Sequence, residues 1–345
     1  MNREKKINDM KKNLFFVLAA MLLFASCEVK QVERNSTGKV LDVLVAANHG
    51  NLSESTNALI DSVFGQSQRC LPQPERRFNM VKIPLTKLSS DKLFQAYRCI
   101  VKCDIGKDHS DKVFIDHNKW VKPQVYIVIS ASCEDSLCAL FRRHEQQIVN
   151  AIYDTEHQRF INLFSGTGGN SGIVKRIQDK YGFSLSVGKN YRWLKEKDGF
   201  VWIQEKLVEQ NDKMVLSNLL IHTVPYESQS QFEQKQLLDR LDTMLCRYVP
   251  GGTPGSYADI ERDTTLCEIL TSFVDYPGAK YAVQTRGLWG LRETDDRMGG
   301  PFVVYSILSP DGTTIVDVMG FVYAPKLEKR DFLLKLESMA SSVRW

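Results

Sequence analysis

The chain has 345 residues and a formal net charge of +4, and its hydrophobic content of 43% is typical of a globular protein. Five basic and two acidic residues lie in the first 26 positions, so the rest of the chain carries a net charge of +1. Nucleic-acid binding requires a clustered basic surface, and this balance does not provide one. We therefore predict no nucleic-acid partner.

A short apolar run at residues 14–24 predicts an export signal. Two lysines precede the run and Ala25-Ser26-Cys27 follows it, an arrangement typical of signal peptides. The run is too short for a membrane-spanning helix, which needs about 20 apolar residues. A Cys directly after the small residues resembles the lipobox of bacterial lipoproteins. We predict a signal peptide at residues 1–26 and lipidation of Cys27; an ordinary secretory signal with an incidental Cys is the alternative.

This anchor determines the predicted location. Acyl chains on Cys27 would make membrane lipid the first partner of the protein. Residues 27–38 are polar and without pattern, and as a flexible tether they would span about 18 Å. We therefore expect a lipid-anchored protein of the cell envelope, at the outer membrane.

Residues 39–165 predict an N-terminal half that mixes strands and helices. Apolar, β-rich runs predict strands at 40–47, 78–83, 98–104 and 124–131. Helical periodicity predicts helices from Ser53, at 87–97, and from Ser132 to about residue 164. The polar stretch 106–119 is predicted to be a loop.

The sequence Gly166-Thr167-Gly168-Gly169-Asn170-Ser171-Gly172 marks the boundary to a C-terminal half at residues 166–345. A phosphate-binding loop would need Gly-Lys-Ser/Thr at its end and a strand before it, so we interpret this segment as a connector. Helices are predicted at 173–181, from Ser228 or Ser230 to Tyr248, at 257–270 and at 332–339. Strands are predicted at 183–187, 191–194, 200–204, 215–224, 281–285, 302–308 and 314–323.

Each half runs through strands to a helix that covers one face of a sheet. This pattern predicts the α+β fold class with two sheet-and-helix half-domains. An ancient duplication of one half would explain the repetition.

The segment 286–305 is the best candidate for binding or chemistry. Arg and Trp are favoured at binding hot spots, and a pair of carboxylates would suit glycan hydrolysis. A charged loop between two strands, with its Trp in the core, is the alternative. The candidate binding residues, which include one aromatic residue further along the chain, are Arg286, Trp289, Glu293, Asp295, Asp296 and Tyr323.

Other polar residues show no pattern of a metal or redox site. His109, Asp111, Asp116 and His117 share one polar stretch without a diagnostic spacing, so neither a metal nor a cofactor is predicted. Seven cysteines follow Cys27, and we expect scattered buried thiols, since any disulfide would have to join distant elements.

Four segments together resemble an uncharacterised lipoprotein family of Bacteroidota, known as domain of unknown function 4837. They are Leu71-Pro72-Gln73-Pro74-Glu75, Arg286-Gly287-Leu288-Trp289, Met298-Gly299-Gly300-Pro301-Phe302 and Gly320-Phe321-Val322-Tyr323-Ala324-Pro325-Lys326. The resemblance runs from about residue 38 to the C-terminus. It implies a cell-envelope lipoprotein and carries over no activity and no catalytic residue.

The functional prediction is therefore a membrane-anchored envelope lipoprotein that binds a protein or another envelope component. An envelope glycan hydrolase that uses carboxylates of the segment 286–305 is the alternative.

Overall fold

Two β-sheets organise the part of the chain that the structure describes, residues 35–209 and 213–345 of a computed structural model. The predicted signal peptide, Cys27 and most of the tether lie outside these residues. From Asn35 to Trp345 the described chain forms one compact unit.

The N-terminal half contains the smaller sheet. Its elements in chain order are β1 (Asp42–Ala46), α1 (Glu54–Gly65), β2 (Asn79–Ile83), α2 (Leu85–Ser90), α3 (Lys92–Gln95), β3 (Cys99–Ile105), β4 (Lys112–His117), β5 (Val125–Ala131) and α4 (Glu134–Ser165).

The five strands lie in the order β2-β1-β3-β5-β4. All neighbours are parallel except β4, which runs antiparallel to β5 at the edge. Parallel strands are covered on both faces, which explains why β1 is apolar and buried along almost its whole length. Helices α1 and α4 pack on one face, and α2, α3 and Trp120 lie on the other.

The C-terminal half contains the larger sheet. Its elements are α5 (Ser171–Tyr181), β6 (Arg192–Lys197), β7 (Phe200–Glu209), β8 (Lys213–Pro225), α6 (Gln234–Tyr248), β9 (Tyr257–Ile260), β10 (Leu270–Phe273), β11 (Tyr281–Arg292), β12 (Gly299–Leu308), β13 (Thr314–Tyr323) and α7 (Arg330–Ala340).

This second sheet is antiparallel, in the order β10-β11-β12-β13-β8-β7-β6, with β9 beside β11. Helix α6 covers one face, while α5, α7 and the end of α4 cover the other. The predicted α+β class with two sheet-and-helix halves is thus confirmed. The two sheets differ in strand number and direction, so they do not support the duplication, which stays a prediction.

Helix α7 belongs to both halves. Leu334 packs in the core beneath the N-terminal sheet, whereas Leu333 and Leu336 pack beneath the C-terminal sheet. The first turn of α7 is capped from the N-terminal half, because the buried carboxylate of Glu75 accepts the backbone N–H groups of Lys329 and Arg330 at 2.8 Å each. One helix and one carboxylate therefore join the two sheets.

Two predicted elements are wrong. The expected loop 106–119 contains β4, and the expected helix 257–270 contains β9 followed by irregular chain. Both are edge or side strands with only a few apolar residues, so their pattern is weak compared with that of a central strand.

Three further segments differ from expectation. The helix expected at 87–97 is broken at Asp91, whose side chain accepts the N–H of Leu93 at 2.8 Å and so starts α3. Residues 183–187 do not form the expected strand; Ser184 makes only an isolated β-bridge to Arg344. The strand expected at 281–285 continues to Arg292, so the candidate segment begins inside β11 instead of in a loop.

None of the helices within the described residues is long and apolar enough to cross a membrane.

Replacing Glu75 with Ala is expected to lower the free energy of unfolding by about 2 kcal/mol, because two N–H groups at the start of α7 lose a charged acceptor. Urea unfolding of the purified chain measures this. Glu328→Ala removes an exposed carboxylate just before the same helix and should change stability by less than about 0.5 kcal/mol. Equal midpoints for Glu75→Ala and wild type would contradict the capping role.

Candidate functional site

The structure separates the residues that the sequence proposed for binding. Arg286 lies on β11 and its side chain contacts α7. Trp289 lies in the core, where its indole N–H donates to the carbonyl of Val322 at 3.1 Å. Core burial of the Trp is the alternative that the sequence left open. The carboxylates of Glu293, Asp295 and Asp296 are exposed between β11 and β12, and Tyr323 is half-buried at the end of β13.

Arg286 is part of a buried polar network that joins β11 to α7. Its guanidinium pairs with the carboxylate of Glu337, and its Nε donates to Gln284 Oε1 at 3.1 Å. The Gln284 amide donates in turn to Glu337 at 2.9 Å and to the hydroxyl of Tyr305 at 2.6 Å. Burial raises the pKa of the Glu337 carboxyl, but Arg286, together with His157 and Gln284, more than offsets this, and the pKa lies below its usual range.

This network has no room for a ligand. The adjoining cavity measures about 10 Å³, which is about the space of one water molecule, and is lined by residues that include Gln68, Tyr153 and Arg330. The network therefore holds α7 against the larger sheet.

His157 of α4 reaches the same network from the N-terminal half. Its Nδ1 lies 2.8 Å from Ser338 Oγ, and its Nε2 lies 3.8 Å from Glu337 Oε1. Burial lowers the pKa of His157, and the nearby Glu337 carboxylate only partly opposes this. The folded protein thus favours the neutral imidazole.

A better candidate site opens at the carboxyl ends of the parallel strands. After β1 the chain forms β2 on one side of β1, and it then crosses over to form β3 on the other side. The strand order therefore reverses between β1 and β3. In open parallel sheets, ligands bind in the crevice at such a point. Two adjoining cavities of about 260 and 430 Å³ lie here and share Ala47, Asn48 and Asn51. We call them the switch crevice.

The lining of the switch crevice combines an apolar floor with a polar rim. Buried Ala47 and Ile83 and half-buried Leu52 and Leu85 form the apolar floor. Pro84 and Ile105 are exposed apolar residues at its edge. The rim carries Asn48, His49, Asn51, Lys82 and Glu134. Ligand pockets in proteins commonly have this composition, with a few polar groups that orient the ligand.

The loop between β1 and α1 is held in place by Asn57. Its amide donates to the carbonyls of His49, Leu52 and Ser53 at 3.1, 3.3 and 3.2 Å. The imidazole of His49 also contacts the Asn57 side chain at 3.1 Å. By contrast, the exposed side-chain amides of Asn48 and Asn51 make no hydrogen bond within residues 35–209 and 213–345.

The charges at the rim are already paired. Glu134 accepts the N–H of Ser53 at 2.7 Å as well as its hydroxyl, and these bonds, the hydroxyl above all, lower the pKa of the Glu134 carboxyl. This carboxylate occupies the start of α1, where an anionic ligand would otherwise bind. Lys82 pairs with Asp61 at 2.5 Å. The free groups of the crevice are therefore neutral amides, which both donate and accept.

Sequence reasoning missed this site. The signal was present as Asn48-His49-Gly50-Asn51, a polar turn between a buried strand and a helix cap. Whether such a turn borders a crevice depends on the strand order, which the sequence did not reveal.

A third cavity, of about 500 Å³, lies at the connector after α4 and is lined by several serines and Arg344. Most of its hydroxyl groups form hydrogen bonds within the fold. Ser165 and Ser186 bond each other at 2.8 Å, and Ser342 Oγ accepts the N–H of Ser186 at 2.8 Å. It offers fewer free polar groups than the switch crevice.

The polar stretch that was considered for metal binding is tied into the sheet instead. Asp111 accepts the N–H of Ser132 at 2.7 Å, and Asp116 and His117 lie on β4. Among the residues described, no three His, Cys, Asp or Glu side chains are grouped as metal ligands.

The depressed pKa of His157 predicts a loss of stability in acid. Below about pH 6.5 the unfolded chain takes up a proton that the folded chain resists, so the stabilisation is lost as the pH falls from that value towards the folded-state pKa. His157→Gln should therefore lose less unfolding free energy between pH 7.5 and 5.5 than wild type does. Urea unfolding at both pH values measures this.

His144→Gln on the same helix serves as the control, because His144 is half-exposed and bonds only to Gln147. It should behave as wild type does. A wild-type pH dependence in His157→Gln would show that this imidazole is not held neutral by burial.

In comparisons with known proteins, two family models match different parts of the chain. A family model described as domain of unknown function 8532 matches residues 36–165, and one described as domain of unknown function 4837 matches residues 170–342. No curated protein matches the chain.

Among solved structures, one similar chain is LpqN, described as involved in cell envelope biogenesis of Mycobacterium tuberculosis. It is 12% identical with a TM-score of 0.28, and the match covers 47% of this chain and 81% of that chain. A similarity this low carries no argument about fold or function. The resemblance was expected to run from about residue 38, but residues 36–165, which include the segment 71–75, match the other family model instead. The match over residues 170–342 spans half of the sequence and confirms the resemblance for that part, and the chain therefore belongs to the family described as domain of unknown function 4837.

Proposed function

We propose that this protein is a lipid-anchored binding protein of the cell envelope, and that its switch crevice holds a neutral, hydroxyl-rich ligand, a glycan. The observation that carries the proposal is the pair of side-chain amides, Asn48 and Asn51, which have no hydrogen-bond partner among the described residues and lie beside an apolar floor at the point where the strand order reverses.

The chemistry of the crevice favours a sugar over an ion. A pyranose ring presents an apolar C–H face, which suits the floor, and hydroxyl groups, which suit neutral amides. The charged groups at the rim are paired within the protein, so a phosphate or a metal ion would find no free counter-charge there. The larger cavity, at about 430 Å³, falls within the usual size range of ligand pockets.

The anchor supports the envelope location. Cys27 follows a short apolar run and two small residues, as in bacterial lipoproteins. Two or more acyl chains would hold the protein stably, and the short tether would keep the folded part close to the membrane surface. We propose the outer membrane as the membrane that holds it. Glycan hydrolysis by Glu293, Asp295 or Asp296 stays a prediction without a supporting contact.

The combined variant Asn48→Ala and Asn51→Ala should bind neutral oligosaccharides more weakly than wild type. Each lost hydrogen bond is worth about 0.5–1.5 kcal/mol, so together they predict a loss of affinity of about tenfold or more. The measurement is binding of the detergent-solubilised full chain to an array of neutral oligosaccharides.

Asn150→Ala is the matched control, because Asn150 is an exposed amide on α4 outside the switch crevice. It should bind as wild type does. The glycan proposal would fail if the crevice variant retained wild-type binding. It would also fail if the only protein bound to the array were a contaminant of the preparation.

Replacing Cys27 with Ala should abolish acylation. In cells labelled with radioactive palmitate, the wild-type protein should carry label and fractionate with membranes, whereas Cys27→Ala should carry none. The control is Cys246→Ala, which removes an exposed cysteine from α6 and should keep both label and membrane association. Absence of label from the wild type would disprove the anchor.

A further inference from the structure

Two cysteines from opposite halves meet at one backbone oxygen. Cys70 Sγ lies 3.5 Å and Cys267 Sγ lies 3.3 Å from the carbonyl oxygen of Glu268, and both thiols donate to it. The neighbouring side chains also pair, since Arg69 contacts the Glu268 carboxylate at 2.6 Å. Two short loops that are distant in sequence are therefore in contact at the thiols.

We propose that Cys70 and Cys267 form a disulfide in the exported protein and so cross-link the two halves. The inference rests on the proposed export, because disulfides persist in oxidising compartments. The oxidant belongs to a stated class, an oxidised thiol–disulfide oxidoreductase of the envelope.

The exposure of the two thiols gives the order of the steps. Cys267 is half-buried and attacks the disulfide of the donor, which forms a mixed disulfide and releases one donor thiol. Cys70 then attacks the sulfur of Cys267, and the second donor thiol leaves. Two protons and two electrons pass from the pair to the donor, which becomes a dithiol. Burial, and then the adjoining Cys267, raise the pKa of Cys70 to about 12, so Cys70 is the second thiol to react.

Both loops are fixed on the body of the protein. The loop of Cys70 is closed by a bridge between Ser67 and Arg76, and the carbonyl of Ile269, two residues after Cys267, accepts the Gln234 amide at 2.9 Å. Cys70 itself has a φ of 61°, a left-handed conformation that side chains other than glycine rarely adopt. The fold therefore holds the two thiols close to each other.

The other described cysteines have no such partner. Cys99 and Cys103 are buried in β3, Cys138 contacts the hydroxyl of Thr56 at 3.2 Å, and Cys133 and Cys246 are exposed. A single cross-link between Cys70 and Cys267 is therefore the outcome that the structure predicts.

The test uses the purified full chain, reduced and then incubated with oxidised glutathione. Alkylation, trypsin digestion and mass spectrometry without reductant should reveal residues 70–76 linked to residues 263–280, each containing one cysteine. The Cys246→Ser control should give the same linked peptide. Cys70→Ser and Cys267→Ser should each lack it, and Cys70→Ser should instead carry glutathione on Cys267.

Closing a loop of about 200 residues should also raise the midpoint of thermal unfolding, by roughly 5–10 °C relative to the reduced chain. A linked peptide from any other pair, or a full set of free thiols after oxidation, would overturn the proposal. A pair that links in the purified chain but is reduced in cells would overturn the export on which the proposal rests, and would leave the geometry of the pair intact.

Discussion

The structure depends on two buried carboxylates that fix the last helix. Glu75 accepts the first N–H groups of α7, and Glu337 near the end of that helix pairs with Arg286 of β11. Removing a charge from water costs several kcal/mol unless partners replace the lost hydration, so both carboxylates require the geometry in which they are found. That geometry places Leu334 under one sheet and Leu333 under the other, and makes the two halves a single body.

Three of the four segments that carry the family resemblance contact this helix, and the fourth packs against β13. The first ends in Glu75, the second begins with Arg286, and the other two contain glycines at close approaches. A Cβ atom at Gly300 would lie 2.0 Å from the carbonyl oxygen of Val322, and one at Gly320 would lie 2.6 Å from the Cβ of Leu336 on α7. No larger residue fits at either place. These segments therefore take part in the packing of the C-terminal sheet and of α7, and they indicate no activity.

Local patterns predicted the central elements well and the edges poorly. The apolar run at β1, the Ser53 cap of α1 and the long stripe of α4 were recognisable because burial on both faces or one full helical face leaves a strong period. Strands β4 and β9 lie at the side of a sheet and carry mixed residues, which a linear pattern does not distinguish from a loop. Arg286 was noticed as a charged residue, but its partner Glu337 lies on a helix that is distant in sequence, so the ion pair between them could not be predicted.

The candidate site could not be found in this way, because it is a product of topology. Asn48 and Asn51 follow an ordinary strand, and only the return of the chain on the other side of β1 opens a crevice beside them. The rigid junction at α7 and the cross-link inferred between Cys70 and Cys267 join the two halves, whereas this crevice lies within the N-terminal half alone. Its strand ends are held by their own parallel sheet, and the loop after β1 is held by the Asn57 amide. A protein held near a membrane by a short tether would present such a fixed site to neighbouring envelope components.

The most direct measurement is a crystal structure of the full chain with the neutral oligosaccharide that it binds best. We expect sugar density over Ala47 and Leu52, with hydroxyl groups within hydrogen-bond distance of the Asn48 and Asn51 amides. Density at the exposed carboxylates of Glu293, Asp295 and Asp296, or in the serine-lined cavity beside Arg344, would contradict it.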